Sequence, residues 1–137
     1  MSKSTETPKQ DNYTCKIVSA SESLTPQQKL ASMDTQTMSK ISDLDGTEEV
    51  ITVIGMVKLQ IHNPNPKEDG NMDYISCVYH TDKGMFYTGS ESFANSYKML
   101  EDNAVDLGIP AGEIKIQVVS KKSQNNQGKM LLAKYVG

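Results

Sequence analysis

The chain contains no arginine and no tryptophan, and it has only two cysteines and two histidines. Every basic residue is therefore a lysine. Bidentate reading of guanine by arginine, the commonest specific contact to a base, is excluded, and lysine remains as a point charge for phosphates. The formal net charge of −3 does not indicate nucleic-acid binding by itself. Such a function has to depend on where the lysines lie.

Further absences bear on location and chemistry. No apolar run approaches the roughly 20 residues that cross a bilayer, and no signal peptide is visible. We therefore expect a cytoplasmic protein without membrane contact, with Cys15 and Cys77 as reduced thiols. No CxxC or HxxxH motif brings these cysteines together with His62 or His80. Phosphate-binding glycine loops and nucleophile motifs are also absent, so we expect no metal site, no cofactor and no enzymatic activity.

The first 46 residues divide into a tail and an extension. Residues 1–12 are polar with almost nothing to bury, which predicts a disordered tail. Residues 13–46 form an N-terminal extension with one short strand and one short, peripheral helix. Thr25 is placed to cap that helix, and Pro26 suits its first position.

Residues 47–137 form the predicted folded domain. Glu49–His62 is predicted to be a long strand, and Gly55 in its middle offers a place to bend. One face of this strand carries the alternating residues Ile51, Val53, Val57, Leu59 and Ile61. Strands at Met72–His80 and Met85–Thr88 complete a meander. A helix follows over Ser90–Leu107, with an apolar stripe of Phe93, Tyr97, Leu100, Ala104 and Leu107.

The last 25 residues predict two strands joined by a polar loop. In the first, Ile114, Ile116 and Val118 alternate with polar residues, as in a strand with one buried face. The second, Lys129–Val136, is apolar enough to be buried on both sides. The resulting order is three strands, a helix and two strands.

That order is typical of the oligonucleotide-binding (OB) fold. We predict a mainly β domain, a five-stranded OB-like barrel with one helix between strands 3 and 4, preceded by the N-terminal extension. A five-stranded open sheet with one packed helix has the same pattern, and remains an alternative.

Three stretches carry a resemblance to a known family: Ser42–Gly46, Thr81–Ser90, and the ending Glu113–Ser120 followed by Lys129-Met-Leu-Leu-Ala. Over residues 39–136 the chain resembles the single-stranded-DNA-binding proteins of small tailed bacteriophages, including those that replicate linear genomes by protein priming. The resemblance implies an OB-like fold, no catalysis, and coating of displaced single strands during replication in the host cytoplasm. It assigns no individual binding residue, and residues 1–40 lie outside it.

Binding of single strands without sequence preference needs a cationic path for the backbone and aromatic faces for the bases. The candidate cations cluster in the last two strands, where Glu113 is the single acid: Lys115, Lys121, Lys122, Lys129 and Lys134. Lys58 and Lys83 could extend this cationic path. The candidate stacking residues are Tyr74, Tyr79, Tyr87 and Tyr135. The alternative is that the lysines are simply solvated and that the tyrosines are half-buried core residues.

We therefore expect a non-enzymatic protein that binds single-stranded DNA without sequence preference and protects displaced strands during phage replication. The N-terminal extension is a candidate surface for self-association or for contact with replication proteins. The rival hypothesis is a protein-binding adaptor, such as a phage early protein that acts on a host factor. The rival accounts for the acidic total, whereas DNA binding accounts for the basic hairpin.

Overall fold

The computed structural model describes residues 12–64, 72–122 and 129–136. Within them one sheet contains seven strands: β1 Thr14–Ala20, β2 Ser39–Lys40, β3 Ile51–His62, β4 Asp73–Thr81, β5 Gly84–Thr88, β6 Ile114–Lys122 and β7 Lys129–Tyr135. Two α-helices accompany the sheet, α1 Pro26–Ala31 and α2 Glu91–Asp106. Two short 3-10 turns lie at Thr35–Thr37 and Ile41–Leu44. The predicted tail falls outside the described residues except for Asn12.

The sheet curls into a half-barrel, so the fold is mainly β with one main helix. The strand order is β2-β5-β4-β3-β6-β7, and β1 also pairs with β3. The central strand β3 pairs with β4 along one edge. Its other edge is shared, because β6 pairs with Ile51–Val53 and β1 pairs with Val57–His62. All pairs are antiparallel except the short contact between β2 and β5.

The prediction of five strands was too low. The meander β3–β4–β5, the helix α2 and the hairpin β6–β7 follow one another as predicted. The two additional strands come from residues 13–46, where one short strand was predicted but not as part of this sheet. Strand β1 adds to the edge of β3, and β2 adds to the edge of β5. The extension therefore belongs to the sheet itself.

The half-barrel stays open between β5 and β7, and α2 lies against the edge of β7. The Ser92 hydroxyl donates a hydrogen bond to the Leu131 carbonyl at 2.9 Å. The Ala133 N–H donates to the Ser96 hydroxyl at 2.8 Å. Backbone groups that a neighbouring strand would satisfy in a closed barrel are satisfied here by helix side chains.

A bulge in β3 divides its apolar residues between two cores. The register against β4 shifts between Val53 and Gly55. Ile51 and Val53 therefore join the core beneath α2. After the bulge, Val57, Leu59 and Ile61 join a second core on the opposite side of the sheet. The five residues are all buried as predicted, but they do not share one face, because one extra residue reverses the side to which later residues point.

The second core is closed by the segment that carries α1. Leu24 is buried in it, with Met33 and Met38 packed around the cluster. Thr25 caps α1 as predicted, through a reciprocal pair of hydrogen bonds with Gln28. The Ser23 hydroxyl donates to the Ile54 carbonyl beside the bulge at 2.9 Å. These contacts hold residues 21–40, which we call the arm, against β3, β4 and β5.

Helix α2 has the predicted buried stripe, with one exception. Ser90 caps its first turn by accepting from the Phe93 N–H. Phe93, Tyr97 and Ala104 are buried, and Leu100 is half-buried. Leu107, predicted to be on the stripe, is 82% exposed. It is the C-cap residue, and the chain turns away at Gly108, whose φ is +97°. Among the described residues no helix has the length and apolarity of a membrane span.

The contact of the arm with β3 can be tested at Gly55. A Cβ at this position would lie 2.6 Å from Leu24 Cγ, so Gly55→Ala overpacks the second core and should cost about 1–3 kcal/mol of unfolding free energy. Gly89→Ala is the matched control, since its Cβ would meet only the Ile75 carbonyl at 3.7 Å. Urea denaturation measures both. Equal stability of the two variants would contradict the placement of Leu24.

The arm also carries a pH-sensitive contact. His80 is buried, with Nε2 2.6 Å from the Ser32 hydroxyl, and burial lowers the pKa of its imidazole. Below the unfolded pKa of about 6.5, the unfolded chain takes up a proton that the folded chain resists. Stability should therefore fall as pH drops through this range, with a slope of at most about 1.4 kcal/mol per pH unit from this group. Urea titrations should show a shallower decline for His80→Gln, and an unchanged slope would exclude His80 as the cause.

Candidate nucleic-acid interface

The hairpin β6–β7 presents its two faces to different environments. Paired residues run from Ile116 opposite Tyr135 to Lys122 opposite Lys129, and cross-strand partners point to the same side. Ile114, Ile116 and Val118 are buried on the α2 side as their alternation predicts. Strand β7 is not buried on both sides, because only Ala133 is buried and its other apolar residues are half-buried.

The opposite side of the hairpin faces outward, and we call it the outer hairpin face. It carries three of the predicted lysines, Lys115, Lys121 and Lys134, all exposed. Half-buried apolar side chains lie between them, with Val119 directly opposite Leu132. This face therefore combines cationic heads with a modest apolar surface.

The two remaining lysines lie on the other side of the hairpin, where β6 and β7 meet the tip. Lys122 and Lys129 are directly opposite one another, and both are exposed. Like charges in that position destabilise a strand pair. The loop between them, residues 123–128, lies outside the described residues.

None of these five lysines forms an ion pair with a described residue, whereas lysines elsewhere do. Lys98 Nζ lies 2.8 Å from the Asp102 carboxylate on α2. Lys83, predicted to extend the cationic path, lies 3.9 Å from the Glu49 carboxylate and also donates to the Val50 carbonyl. In the described part of the chain the hairpin lysines therefore have no carboxylate partner, whereas Lys83 has one.

Tyr135 and Lys115 share a shallow depression of about 340 Å³ at the base of the hairpin. Thr52, Glu113 and Val136 complete its lining. Tyr135 is 42% exposed, so its ring is accessible for stacking. The Glu113 carboxylate at the rim places one negative charge beside this aromatic and cationic pair.

Tyr79 does not belong to any interface. It is fully buried, with its ring edge-on to Phe93 at 5.2 Å and to Tyr97 at 5.3 Å between ring centroids. Among the described residues its hydroxyl has no oxygen or nitrogen partner, the Cys77 thiol is its polar neighbour, and burial strongly raises the pKa of the phenol. The sequence could not exclude it as a stacking residue because both sides of β4 are covered from Ser76 to Thr81.

The other two predicted tyrosines lie away from the hairpin. Tyr87 is half-buried at the margin of the second core, where Lys40 of β2 pairs with it. Tyr74 is 40% exposed at the start of β4, opposite Ile61. Tyr13, which the sequence analysis did not consider for stacking, is also exposed. The position of Tyr13 at the start of the first predicted strand was the sequence feature that could have marked it as a stacking candidate.

Lys58 is exposed but is not brought together with the hairpin lysines. Ile51 of β3 pairs with Ile116 of β6, and the two strands are antiparallel. Lys58 lies seven residues from this pair along β3, and Lys121 lies five residues from it along β6, toward the opposite end of the sheet. That separation of 7 + 5 residues corresponds to about 40 Å of strand path. Lys16 on β1, which was not singled out from the sequence, lies near Lys58 instead.

The sulfur and imidazole groups remain dispersed. Cys15 is half-buried and Cys77 is buried; both thiols are free, and burial raises the pKa of each. His62 Nδ1 lies 2.7 Å from the Asp73 carboxylate, while His80 contacts Ser32 on the other side of the sheet. In the described ranges no three His, Cys, Asp or Glu side chains converge in a way that could hold a metal ion.

The burial of Tyr79 gives a direct test of the stacking assignment. Tyr79→Phe removes a buried hydroxyl that has no oxygen or nitrogen partner among the described residues, so it should be neutral or stabilising in urea denaturation and should leave oligonucleotide affinity unchanged. Tyr135→Phe is the matched control at an exposed position. A loss of more than about 1 kcal/mol in Tyr79→Phe would show that its hydroxyl has a partner, since surface-neutral changes stay below that scale.

The chain matches no protein-family model, and comparison with curated proteins and with solved structures gives no match. The likeness to phage single-strand-binding proteins is therefore carried by the sequence pattern alone.

Proposed function

We propose that this protein binds single-stranded DNA without sequence preference, and that the β6–β7 hairpin is its main contact. The observation that carries the proposal is the lysine cluster without ion-pair partners among the described residues, above all Lys122 directly opposite Lys129. This arrangement costs the isolated hairpin stability through repulsion. A polyanion that passes between the two ammonium groups relieves the repulsion, because its phosphates supply the negative charge that the two lysines need.

The residue types favour backbone contact over base reading. Lysine neutralises phosphates as a point charge and carries no planar fork for guanine. Lys115 and Tyr135 line the same shallow depression, and a cation and an aromatic ring are the two kinds of group that hold the phosphates and the bases of a single strand. Base identity is not read by such contacts, because every base has a π-face.

We infer that the half-barrel is an OB-like fold whose five shared strands are β3 to β7. In that fold, ligands bind on the face of strands 2 and 3 and at the loops joining strands 1–2 and 4–5. Here the corresponding strands, β4 and β5, face the α2 core on one side and the arm on the other. The hairpin β6–β7, which bears the loop between strands 4 and 5, is the part of that surface that stays open.

The biological role follows from the proposed ligand. A protein of this kind coats and protects displaced single strands during phage DNA replication, acts in the cytoplasm of the infected cell, and performs no catalysis. The arm and β1 form the surface available to replication proteins or to further copies of the chain. A non-enzymatic adaptor remains the rival, because the half-buried apolar residues of the outer hairpin face also suit a protein contact.

Salt dependence tests the hairpin contact. Tryptophan is absent, so binding of fluorescein-labelled oligo-dT is followed by anisotropy across a salt series. For single strands, the slope of log K against log salt is about −0.7 per phosphate contacted. Three to four contacts should therefore give a slope of about −2 to −3 for the wild type.

Variants separate charge from stacking. Lys121→Ala with Lys122→Ala should make the slope shallower by about 1.4, whereas Lys83→Ala with Lys98→Ala removes the same charge from ion-paired positions and should not. Tyr135→Ala should weaken binding by about 1–3 kcal/mol with the slope intact. No oligo-dT binding by the wild type at low salt would overturn the proposal and favour the adaptor. Binding with an unchanged slope in the hairpin variant would place the interface elsewhere.

A further inference from the structure

A second exposed basic surface lies at the far end of the half-barrel. Antiparallel register places Lys16 of β1 opposite Gln60 of β3, and Gln60 opposite Ile75 of β4. The next row holds Ser19 and Lys58. Cross-strand partners share a face, so these five side chains point to the same side of the sheet, and we call them the distal face.

The bulge in β1 fixes this arrangement. The register between β1 and β3 shifts between Ile17 and Ser19, which leaves Val18 as the extra residue. Without it, Ser19 would fall out of the row of Lys58. Ile17 points into the second core, as Leu59 does, so the polar side chains of β1 and β3 face away from that core.

The distal face continues the side of the sheet that α2 covers near its middle. Met56 belongs to the margin of the α2 core, and Lys58 lies two residues further along the same side of β3. Helix α2 does not cover this end of the sheet, so Lys58 and Gln60 are exposed although they lie on the central strand β3, and Lys16 on β1 is exposed beside them. A solvent-facing patch on a central strand is a place where a ligand can lie across several strands.

The charges of this patch are available to a ligand. Neither Lys16 nor Lys58 forms an ion pair with a residue in the described ranges. Because Lys58 precedes Gln60 by two residues, the two lysines are diagonal neighbours, about 7–8 Å apart. The neighbouring row holds Asp73, whose carboxylate is hydrogen-bonded to His62 at 2.7 Å.

We propose that the distal face is a second contact for the phosphate backbone of the same single strand, with Lys16 and Lys58 as the phosphate-binding residues and Gln60 as a neutral donor. This inference rests on the proposed function and adds the path of the ligand. The DNA passes from the Lys122 end of the hairpin, past α2, which covers the middle of this side of the sheet, to the distal face. Lys122 and Lys58 are separated by 6 + 7 residues of paired strand, about 43 Å of strand path.

Ligand length provides the test. Labelled dT6 is too short to span the two surfaces, whereas dT30 reaches both. The variant is Lys16→Gln with Lys58→Gln, which keeps polar side chains of similar length. The control is Lys83→Gln with Lys98→Gln, at lysines that are ion-paired elsewhere. Thermal melting confirms that both variants remain folded.

For dT30, the Lys16→Gln, Lys58→Gln variant should bind about tenfold more weakly at low salt, with a slope shallower by about 1.4 for two lost phosphate contacts. Its affinity for dT6, held at the hairpin, should equal that of the control. An unchanged dT30 affinity and slope would overturn the distal contact while leaving the hairpin proposal standing. Equal losses for dT6 and dT30 would also overturn it, because the lysines would then belong to one compact site. A wild type that binds neither oligonucleotide would instead overturn the proposed function.

Discussion

The bulge in β3 beside Gly55 is the constraint on which the rest of the structure depends. It lets one strand of 12 residues serve two cores on opposite sides of the sheet. The missing side chain of Gly55 gives Leu24 its place, and Leu24 anchors the arm. Once the arm is anchored, the outer side of β4 and β5 is no longer available to a ligand. The position of the proposed interface therefore depends on a glycine that is not part of the hairpin.

The second determining contact is the edge of β7. Ser92 and Ser96 of α2 satisfy its backbone groups, so β7 needs no strand on that side and the half-barrel does not close. The hairpin is consequently held along β3 only through Ile114–Ile116, and its outer half extends past the end of β3. One side of the hairpin packs against α2, and the outer hairpin face is left for a ligand that lies along it. That exposure explains why Lys115, Lys121 and Lys134 occupy this face.

Local pattern predicted most of the fold, and tertiary cover explains most of the errors. The alternation of Ile114, Ile116 and Val118, the caps of both helices and the burial of Phe93 and Tyr97 depend on neighbours in sequence, so they were predictable. The opposite sides of β4 were not, because both are covered and its sequence has no polar face from which to read parity. Tyr79 was misassigned for that reason. Gly55 was predicted as the place where β3 bends, but the bulge itself was not, since a shift of one residue leaves the composition of β3 unchanged.

The candidate site was predictable in composition and not in layout. Five lysines within a short stretch were visible in the sequence, but only the register shows that Lys122 faces Lys129 and that the other three share the outer hairpin face. Lys58 and Lys16 come from strands that are distant in sequence, and only pairing along β3 sets them beside one another. The acidic total of the chain is compatible with these surfaces, because Glu49 and Asp102 pair with other lysines. Within the described residues the lysines of the hairpin and of the distal face have no ion-pair partners, and long-range attraction of a polyanion depends on that local excess of charge rather than on net charge.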